Sequence, residues 1–339
     1  MKTKHASPIA RTSSGKNAIL LTITALALSM SAAFGATTRW TDDVDIWHNS
    51  ADWDYGEPNP TTAAEINNGG TARIITDFPM ANALSLTLGL NTGQSGNVVV
   101  SAAFGDLDVG EAIFVGKGGA GNLTITQGIV NSASASIASL AGELWVSNGS
   151  AKVDGGGSHW IISGEADVGG TASAPGGTGL LTVINSGTVT AANVHVWNSG
   201  TLTGNGSVST TNGTTVDGTL APNGGGTTFT FDGDLVLTSG TTHATTQCNI
   251  TPQDPSTTPQ VSVSQQVSLG GLLLVTMSGD FSSAPTRFTL LSANSVAVGH
   301  PTFDFKSITY PTGQCWHPVI TYDSTDHFHV YLDRVYDCN

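Results

Sequence analysis

The stretch VGKGGAGNLTITQGIV, residues 115–130, occurs a second time in altered form as VGGTASAPGGTGLLTVINSGTV, residues 168–189. Both copies read Val-Gly, a glycine-rich bend, Leu-Thr followed by an aliphatic residue, and then a glycine shortly before a valine. A short repeated unit that cannot bury its own apolar face is typical of a stack, in which neighbouring units bury one continuous core. The repeat therefore predicts a solenoid of strands.

The alternation of apolar and polar residues extends well beyond these two copies. Clusters such as AIFV (112–115), HWIIS (159–163) and NVHVW (193–197) read as short strands, and Gly or Asn turn signals separate them. Outside the N-terminal apolar run, no window of helical length carries apolar residues at helical spacing. The sequence therefore predicts an all-β protein with almost no helix.

A second stretch, LTGNGSVSTTNGTTVDGTLAPNGGGT (202–227), has the Gly, Thr, Asn and Ser composition of a flexible linker. A linker has no reason to place aliphatic residues at intervals, yet Leu202, Val208, Val216 and Leu220 punctuate the polar residues. We therefore predict that these four side chains fill the core of regular coils.

The segments LTGNGSV (202–208), VDGTLAPNGGGT (216–227) and FTFDGDLVLTSGTT (229–242) carry a family resemblance. They resemble the passenger regions of bacterial autotransporters and related exported proteins with autotransporter-type strand repeats. The resemblance implies a right-handed parallel β-helix with a C-terminal β cap. Short strands with frequent turns also fit a β-sandwich, which is the structural alternative.

The resemblance and the repeat together divide the chain into four parts. We expect a signal peptide at 1–35, an N-terminal cap and first coils at 36–104, the β-helix repeat region at 105–231, and closing strands at 232–339. Too few residues follow the closing strands for even a small outer-membrane barrel, so we expect no attached translocation barrel. The resemblance implies secretion or surface display by a Gram-negative bacterium.

The first 35 residues have the pattern of a secretory signal, with a basic start, an uncharged apolar run at 18–34 and small residues near Gly35. Cleavage between Gly35 and Ala36 would leave 7 Lys and Arg against 25 Asp and Glu, a formal charge of about −18. Nucleic acid binding needs clustered Lys and Arg, so this balance argues against it. No later apolar run is long enough to span a membrane.

The segment RWTDDVDIWHNSADWDYGEP (39–58) concentrates aromatic and acidic residues near the predicted N-terminus of the mature chain. Its rings could stack on sugars, and its carboxylates could bind calcium, which takes six to eight oxygen ligands. Alternatively, apolar rings plug the open end of the first coil while carboxylates keep that end soluble. The cap interpretation is favoured because the Asp spacing matches no ordered calcium loop. The candidate ligand-binding rings are Trp40, Trp47, Trp53 and Tyr55, and the candidate calcium ligands are Asp42, Asp43, Asp45, Asp52 and Asp54.

The chain has three cysteines, Cys248, Cys315 and Cys338, all in its last third. Export permits a disulfide, and one cysteine must then remain unpaired. We favour a Cys315–Cys338 pair, with the two other pairings left open.

Catalytic motifs are scarce in this sequence. GKGGAG (116–121) matches a dinucleotide fingerprint, but a strand pattern follows it where that fingerprint needs a helix. The repeat region offers scattered charged residues, some of which could converge across stacked coils: Asp106, Asp108, Glu111, Lys117, Glu143, Lys152, Asp154, Glu165 and Asp167. The sequence favours a structural or adhesive protein that presents a lateral face to matrix or glycans. A polysaccharide-active lyase or hydrolase and a calcium-dependent carbohydrate-binding module are the alternatives.

Overall fold

A computed structural model of the chain describes residues 35–75, 79–101, 105–142, 145–223, 226–239, 244–297, 305–310, 315–322 and 327–334. The predicted signal sequence therefore lies outside the described residues, apart from Gly35. Residues 35–339 group into one unit. The described part of the chain contains no helix that is long and apolar enough to cross a membrane.

Short β-strands make up nearly all of the regular structure, and a 3₁₀ turn at Ser50–Asp52 is the one helical segment among the described residues. The strands, in chain order, are β1 Thr37–Arg39, β2 Val44–Ile46, β3 Ala63–Ile66, β4 Asn68–Ile74, β5 Ala81–Ala83, β6 Leu86–Leu88, β7 Ser95–Val100, β8 Asp106–Val115, β9 Ala120–Ile125, β10 Gly128–Ile137, β11 Ala141–Gly142, β12 Trp145–Val146, β13 Asn148–Asp154, β14 Ser158–Ile162, β15 Glu165–Val168, β16 Gly170–Thr171, β17 Ala174–Pro175, β18 Thr178–Ile184, β19 Thr188–Ala191, β20 Asn193–Val196, β21 Gly200–Gly204, β22 Ser207–Thr210, β23 Thr214–Val216, β24 Thr219–Pro222, β25 Phe229–Asp232, β26 Leu235–Leu237, β27 Thr245–Ile250, β28 Val261–Ser268, β29 Leu272–Met277, β30 Arg287–Val296, β31 Ser307–Thr309, β32 Trp316–Tyr322 and β33 Phe328–Arg334.

Most of the described strands belong to two large sheets, one of 18 strands and one of 11. All the pairings within the 11-strand sheet are parallel, from β2 to β31. The larger sheet consists of two rows, because the long strand β10 pairs with β14 through its first half and with β15 through its second. Each coil thus contributes strands to three rows, so the predicted parallel β-helix is confirmed.

The repeat that predicted this fold occupies equivalent positions two coils apart. Val115 pairs with Ile137, which in turn pairs with Val168, so the two Val-Gly elements lie in one column with a single coil between them. Likewise, Leu123 and Leu181 both pair with Ala151. The intervening coil keeps the inward apolar positions but has lost the sequence likeness.

The core of the stack consists of aliphatic columns that follow the same register. Leu202 pairs with Leu220 in the 11-strand sheet, and Val208 pairs with Phe231 in the larger sheet. The four large aliphatic residues of the linker-like stretch, Leu202, Val208, Val216 and Leu220, have no exposed surface. This stretch forms β21 to β24, so it is part of the coil stack as predicted.

The C-terminal end of the stack changes to antiparallel pairing. Parallel coils continue past residue 232, through the β28–β30 and β29–β31 pairs. The last two strands, β32 and β33, pair antiparallel with each other, and β33 also pairs antiparallel with β30. These pairings end the parallel ladder of this row.

Candidate functional site

A group of titratable side chains lies on the outer face of the row that contains β15 and β20. Glu165 and Asp167 are two residues apart on β15, so their side chains emerge on the same face. Asp167 pairs in register with His195 on β20. Each of the three side chains offers one nitrogen or oxygen atom, and these atoms all lie within 4.8 Å of one another. We call Glu165, Asp167 and His195 the lateral triad.

Asp167 is the buried member of the lateral triad, with 4% of its surface exposed. The indole nitrogen of Trp197 donates a hydrogen bond of 3.0 Å to its Oδ1. The pKa of Asp167 is raised to about 6: burial is the largest cause and the nearby Glu165 carboxylate adds to it, whereas the Trp197 hydrogen bond and His195 oppose the rise. Trp197 itself packs against the Gly170 backbone of the β16–β17 hairpin, where an added Cβ would lie 2.4 Å from the indole ring.

His195 is held in place by a relay of polar contacts on later coils. Its Nε2 lies 2.7 Å from Oδ2 of Asp217, which follows β23. The Thr238 hydroxyl donates a hydrogen bond of 2.6 Å to the other oxygen of Asp217. The ring of Trp197 lies 4.0 Å from the imidazole ring, centroid to centroid. The imidazole orientation is therefore fixed from two sides.

Sequence patterns single out two members of the lateral triad only as dispersed carboxylates, and they miss His195. His195 is 28 positions after Asp167, and nothing in the spacing joins them. The two strands do share a sequence pattern that could have revealed the pair: aligning EADV (165–168) with NVHV (193–196) places Asp167 opposite His195.

The N-terminal aromatic residues form a cluster at the start of the stack. Trp40, Trp47 and Trp53 are buried, and Trp53 makes edge-to-face contacts with the other two rings at centroid distances of 5.1 and 4.9 Å. The Trp53 indole nitrogen donates to the Trp47 carbonyl. Tyr55 is 78% exposed, so it is the one candidate ring of the four with a free face. Buried rings are what the cap interpretation requires.

The structure brings together three of the five candidate calcium ligands. Asp42, Asp45 and Asp52 each offer an oxygen within 4.8 Å of the others. Burial, together with the negative charge of Asp45, raises the pKa of Asp52. Asp54 is engaged elsewhere, because it accepts a hydrogen bond of 2.7 Å from the Arg39 backbone nitrogen. Asp43 is exposed and is not a member of this group.

The cysteines differ in their chemical state. Cys248 is a buried free thiol in β27, and burial raises its pKa to about 12. Cys315 takes part in a disulfide. Its predicted partner, Cys338, lies outside the described residues.

The outer face of the 11-strand sheet carries a column of mostly small polar residues in register from β4 to β27. These residues are Thr71, Asn97, Asn122, Ser150, Leu180, Thr201, Thr219 and Thr245. We call this column the polar ladder. With parallel strands about 4.8 Å apart, its eight positions extend over roughly 34 Å.

Neither a protein-family model nor a curated protein sequence matches this chain.

Proposed function

We propose that this protein is an exported structural or adhesive β-helix whose polar ladder binds an extended glycan or matrix polymer. The observation that carries the proposal is the unbroken register of the ladder across eight consecutive strands of one sheet. A linear polymer with a regular repeat can contact such a column at many equivalent points. Many weak contacts then add up without a deep pocket.

The ladder residues are chemically suited to an uncharged or weakly polar polymer. Thr, Ser and Asn side chains both donate and accept hydrogen bonds. One pair is already aligned along the stack: Asn122 Nδ2 donates to Asn97 Oδ1 at 2.8 Å, and Asn97 donates to the Gly70 carbonyl at 3.1 Å. The backbone groups beneath are engaged in the parallel ladder. Ligand contacts would therefore be made by the side chains.

Charge also favours a neutral or cationic partner over an anionic one. The whole chain carries 25 acidic residues against 11 Lys and Arg. In the adjacent outward column, Lys152 is paired with Asp154 at 2.6 Å, which neutralises its charge. Polyanions such as nucleic acid or sulfated glycans would meet repulsion from the protein as a whole.

A pair of substitutions on the ladder tests the binding face. Thr201 and Thr219 are adjacent in register, and the double change to Arg places two bulky cations on the ladder without touching the core. We expect Thr201→Arg/Thr219→Arg to abolish retention on the glycans of an array that bind the unaltered protein. The matched control is Ser207→Arg/Thr230→Arg, an adjacent hydroxyl pair on the larger sheet. Equal loss in both variants, or no glycan binding by the unaltered protein, would contradict the proposal.

Export is a separate part of the proposal, resting on the N-terminal pattern and on the family resemblance. Fractionation of the producing cell into medium, surface and periplasm tests it. Recovery of a chain that begins at Ala36 from any of these fractions is expected. Recovery from the cytoplasm of a chain that begins at Met1 would contradict it.

A further inference from the structure

We propose that the lateral triad, Glu165, Asp167 and His195, is a binding site for a divalent first-row metal ion such as Zn²⁺. The site is independent of the polar ladder, because it lies on the larger sheet. Its ligands come from two neighbouring coils, β15 and β20, which the register places side by side. One imidazole nitrogen and two carboxylate oxygens are a donor set that zinc and its neighbours accept.

The three ligand atoms are already close to a coordinating arrangement. Because no two of them are more than 4.8 Å apart, a central ion would lie at most about 2.8 Å from each. Zinc–oxygen and zinc–nitrogen bonds are about 2.0–2.2 Å long. Side-chain shifts of about 0.7 Å therefore suffice. Glu165 and His195 are half-buried rather than enclosed, which leaves an approach from solvent.

Asp167 supplies an observation that hydrogen bonding within the fold does not explain. This carboxylate is 96% buried, and its side chain accepts one hydrogen bond, at Oδ1 from Trp197. Oδ2 accepts no hydrogen bond from the described residues and is not one of the enclosed unpaired atoms, so it is open to solvent and to an incoming ion. A largely buried carboxylate group is costly to keep charged, and a second carboxylate close by increases that cost. A bound cation would offset both.

The surroundings of His195 match those of metal-binding imidazoles. Metal-ligating histidines usually hold their other ring nitrogen against a carboxylate, which fixes the ring and raises its basicity. Asp217 contacts Nε2 of His195 at 2.7 Å, so Nδ1 would be the nitrogen that binds the metal ion, and Thr238 in turn orients Asp217. The N-terminal group of Asp42, Asp45 and Asp52 has no histidine, so it is the weaker candidate for zinc.

Zinc titration of the untagged, chelator-treated protein by isothermal calorimetry tests the assignment. We expect one Zn²⁺ per chain, with affinity at least 10-fold lower in Asp167→Asn, Glu165→Gln and His195→Gln. Asp217→Asn should lower the affinity 10- to 100-fold without removing a ligand, an effect that a merely structural residue would not have. Co²⁺ in place of Zn²⁺ should give visible absorption bands that His195→Gln alters.

Two variants serve as matched controls. His159→Gln removes a half-buried histidine from the neighbouring row, and Asp45→Asn alters the N-terminal acidic group. Both should bind zinc like the unaltered protein. Glu165 is half-buried, so Glu165→Gln keeps the test valid if Asp167→Asn misfolds. Absence of zinc binding, binding unchanged in the triad variants, or binding lost in either control would overturn the proposal.

Discussion

Ionisation of Asp167 lowers the free energy of unfolding of the protein. Its pKa is raised from 3.8 to about 6, with burial as the largest cause. Because the folded pKa lies above the unfolded one, the folded state binds this proton more tightly, and the group stabilises the fold least when it is ionised. Its contribution is therefore highest below pH 4 and is lost as the pH rises to about 6.

This linkage predicts a pH-dependent difference between the unaltered protein and Asp167→Asn. In chelator, Asp167→Asn should become more stable relative to the unaltered protein between pH 4 and pH 7, by about 2 kcal/mol, because part of the effect of this pKa shift is already present at pH 4. Urea unfolding at both pH values measures the difference, and the other carboxylates cancel because both proteins share them. Parallel stability curves would contradict the prediction.

Corner residues between the larger sheet and the 11-strand sheet adopt left-handed backbone angles. Gly116 has φ +74° immediately after Val115, and an added Cβ would lie 2.2 Å from the Asn148 carbonyl oxygen. One coil later, the equivalent residue after Ile137 is Ala138, with φ +62°. The same geometry is thus adopted by glycine on one coil and by alanine on the next.

Opposite substitutions at these two corners should have opposite effects. Gly116→Ala should destabilise by about 2 kcal/mol or more, because it adds both a clash and a left-handed alanine. Ala138→Gly should stabilise by about 0.5 kcal/mol, since relief of the left-handed cost exceeds the gain in unfolded-chain flexibility. Denaturant midpoints of the two variants check the signs. A destabilised Ala138→Gly would show that its methyl packing outweighs the strain.

The lateral triad shows why residue-level chemistry was harder to predict than the core. Inward residues such as Val115 and Val168 lie in segments of similar sequence, so the repeat alone predicts that they occupy equivalent core positions. Asp167 and His195 are outward residues. Core packing does not restrict the residue types at outward positions, so the sequences of successive coils do not resemble each other there. Their meeting depends on coil lengths, which the β16–β17 hairpin alters between β15 and β18.

At the scale of elements, the cap interpretation predicts that the N-terminal tryptophan cluster stabilises the first coils. Trp47→Ala would open a large cavity and remove the contact with Trp53, so a loss of about 3–5 kcal/mol is expected. Tyr55→Ala is the matched control, because this exposed ring should contribute less than about 0.5 kcal/mol. Urea unfolding of the two variants measures both effects. Similar losses in the two variants would argue against the cap.

Element boundaries were predictable where glycine turns and period-two patterns coincide, as in β9 and β18. Two short hairpins were not predicted. The hairpins β11–β12 and β16–β17 interrupt successive coils between the larger sheet and the 11-strand sheet. The β16–β17 segment reads as a glycine-rich bend, whereas β12 lies in ELWVSNGSAKV (143–153), which reads as one continuous strand. The later coils also continue to β31, although the glycine-rich repeat pattern fades before them.

At the scale of the whole molecule, each coil pairs with its immediate neighbours throughout the part of the chain that the structure describes. In such stacks, stability is close to a sum of coil and interface contributions, and local openings occur where an interface is weak. The stretch 202–223 has aliphatic columns continuous with the coils before and after it, through Leu181 to Leu202 and Val216 to Leu237. This stretch therefore contributes to the hydrophobic core like the other coils, although most of its residues are polar.

Limited proteolysis distinguishes this view from a linker at the same place. Thermolysin cleaves beside aliphatic residues, and all four in this stretch, Leu202, Val208, Val216 and Leu220, are fully buried. Since cleavage requires local unfolding of several residues, the first cuts in the folded protein should fall outside 202–223. Mass spectrometry of the earliest fragments locates those cuts. As a matched control, Leu202→Asp places a charge in the core, and cleavage within 202–223 should then appear among the first products. Early cleavage there in the unaltered protein, with two stable halves, would mean that the coils on either side fold independently and that the stack is interrupted at this stretch.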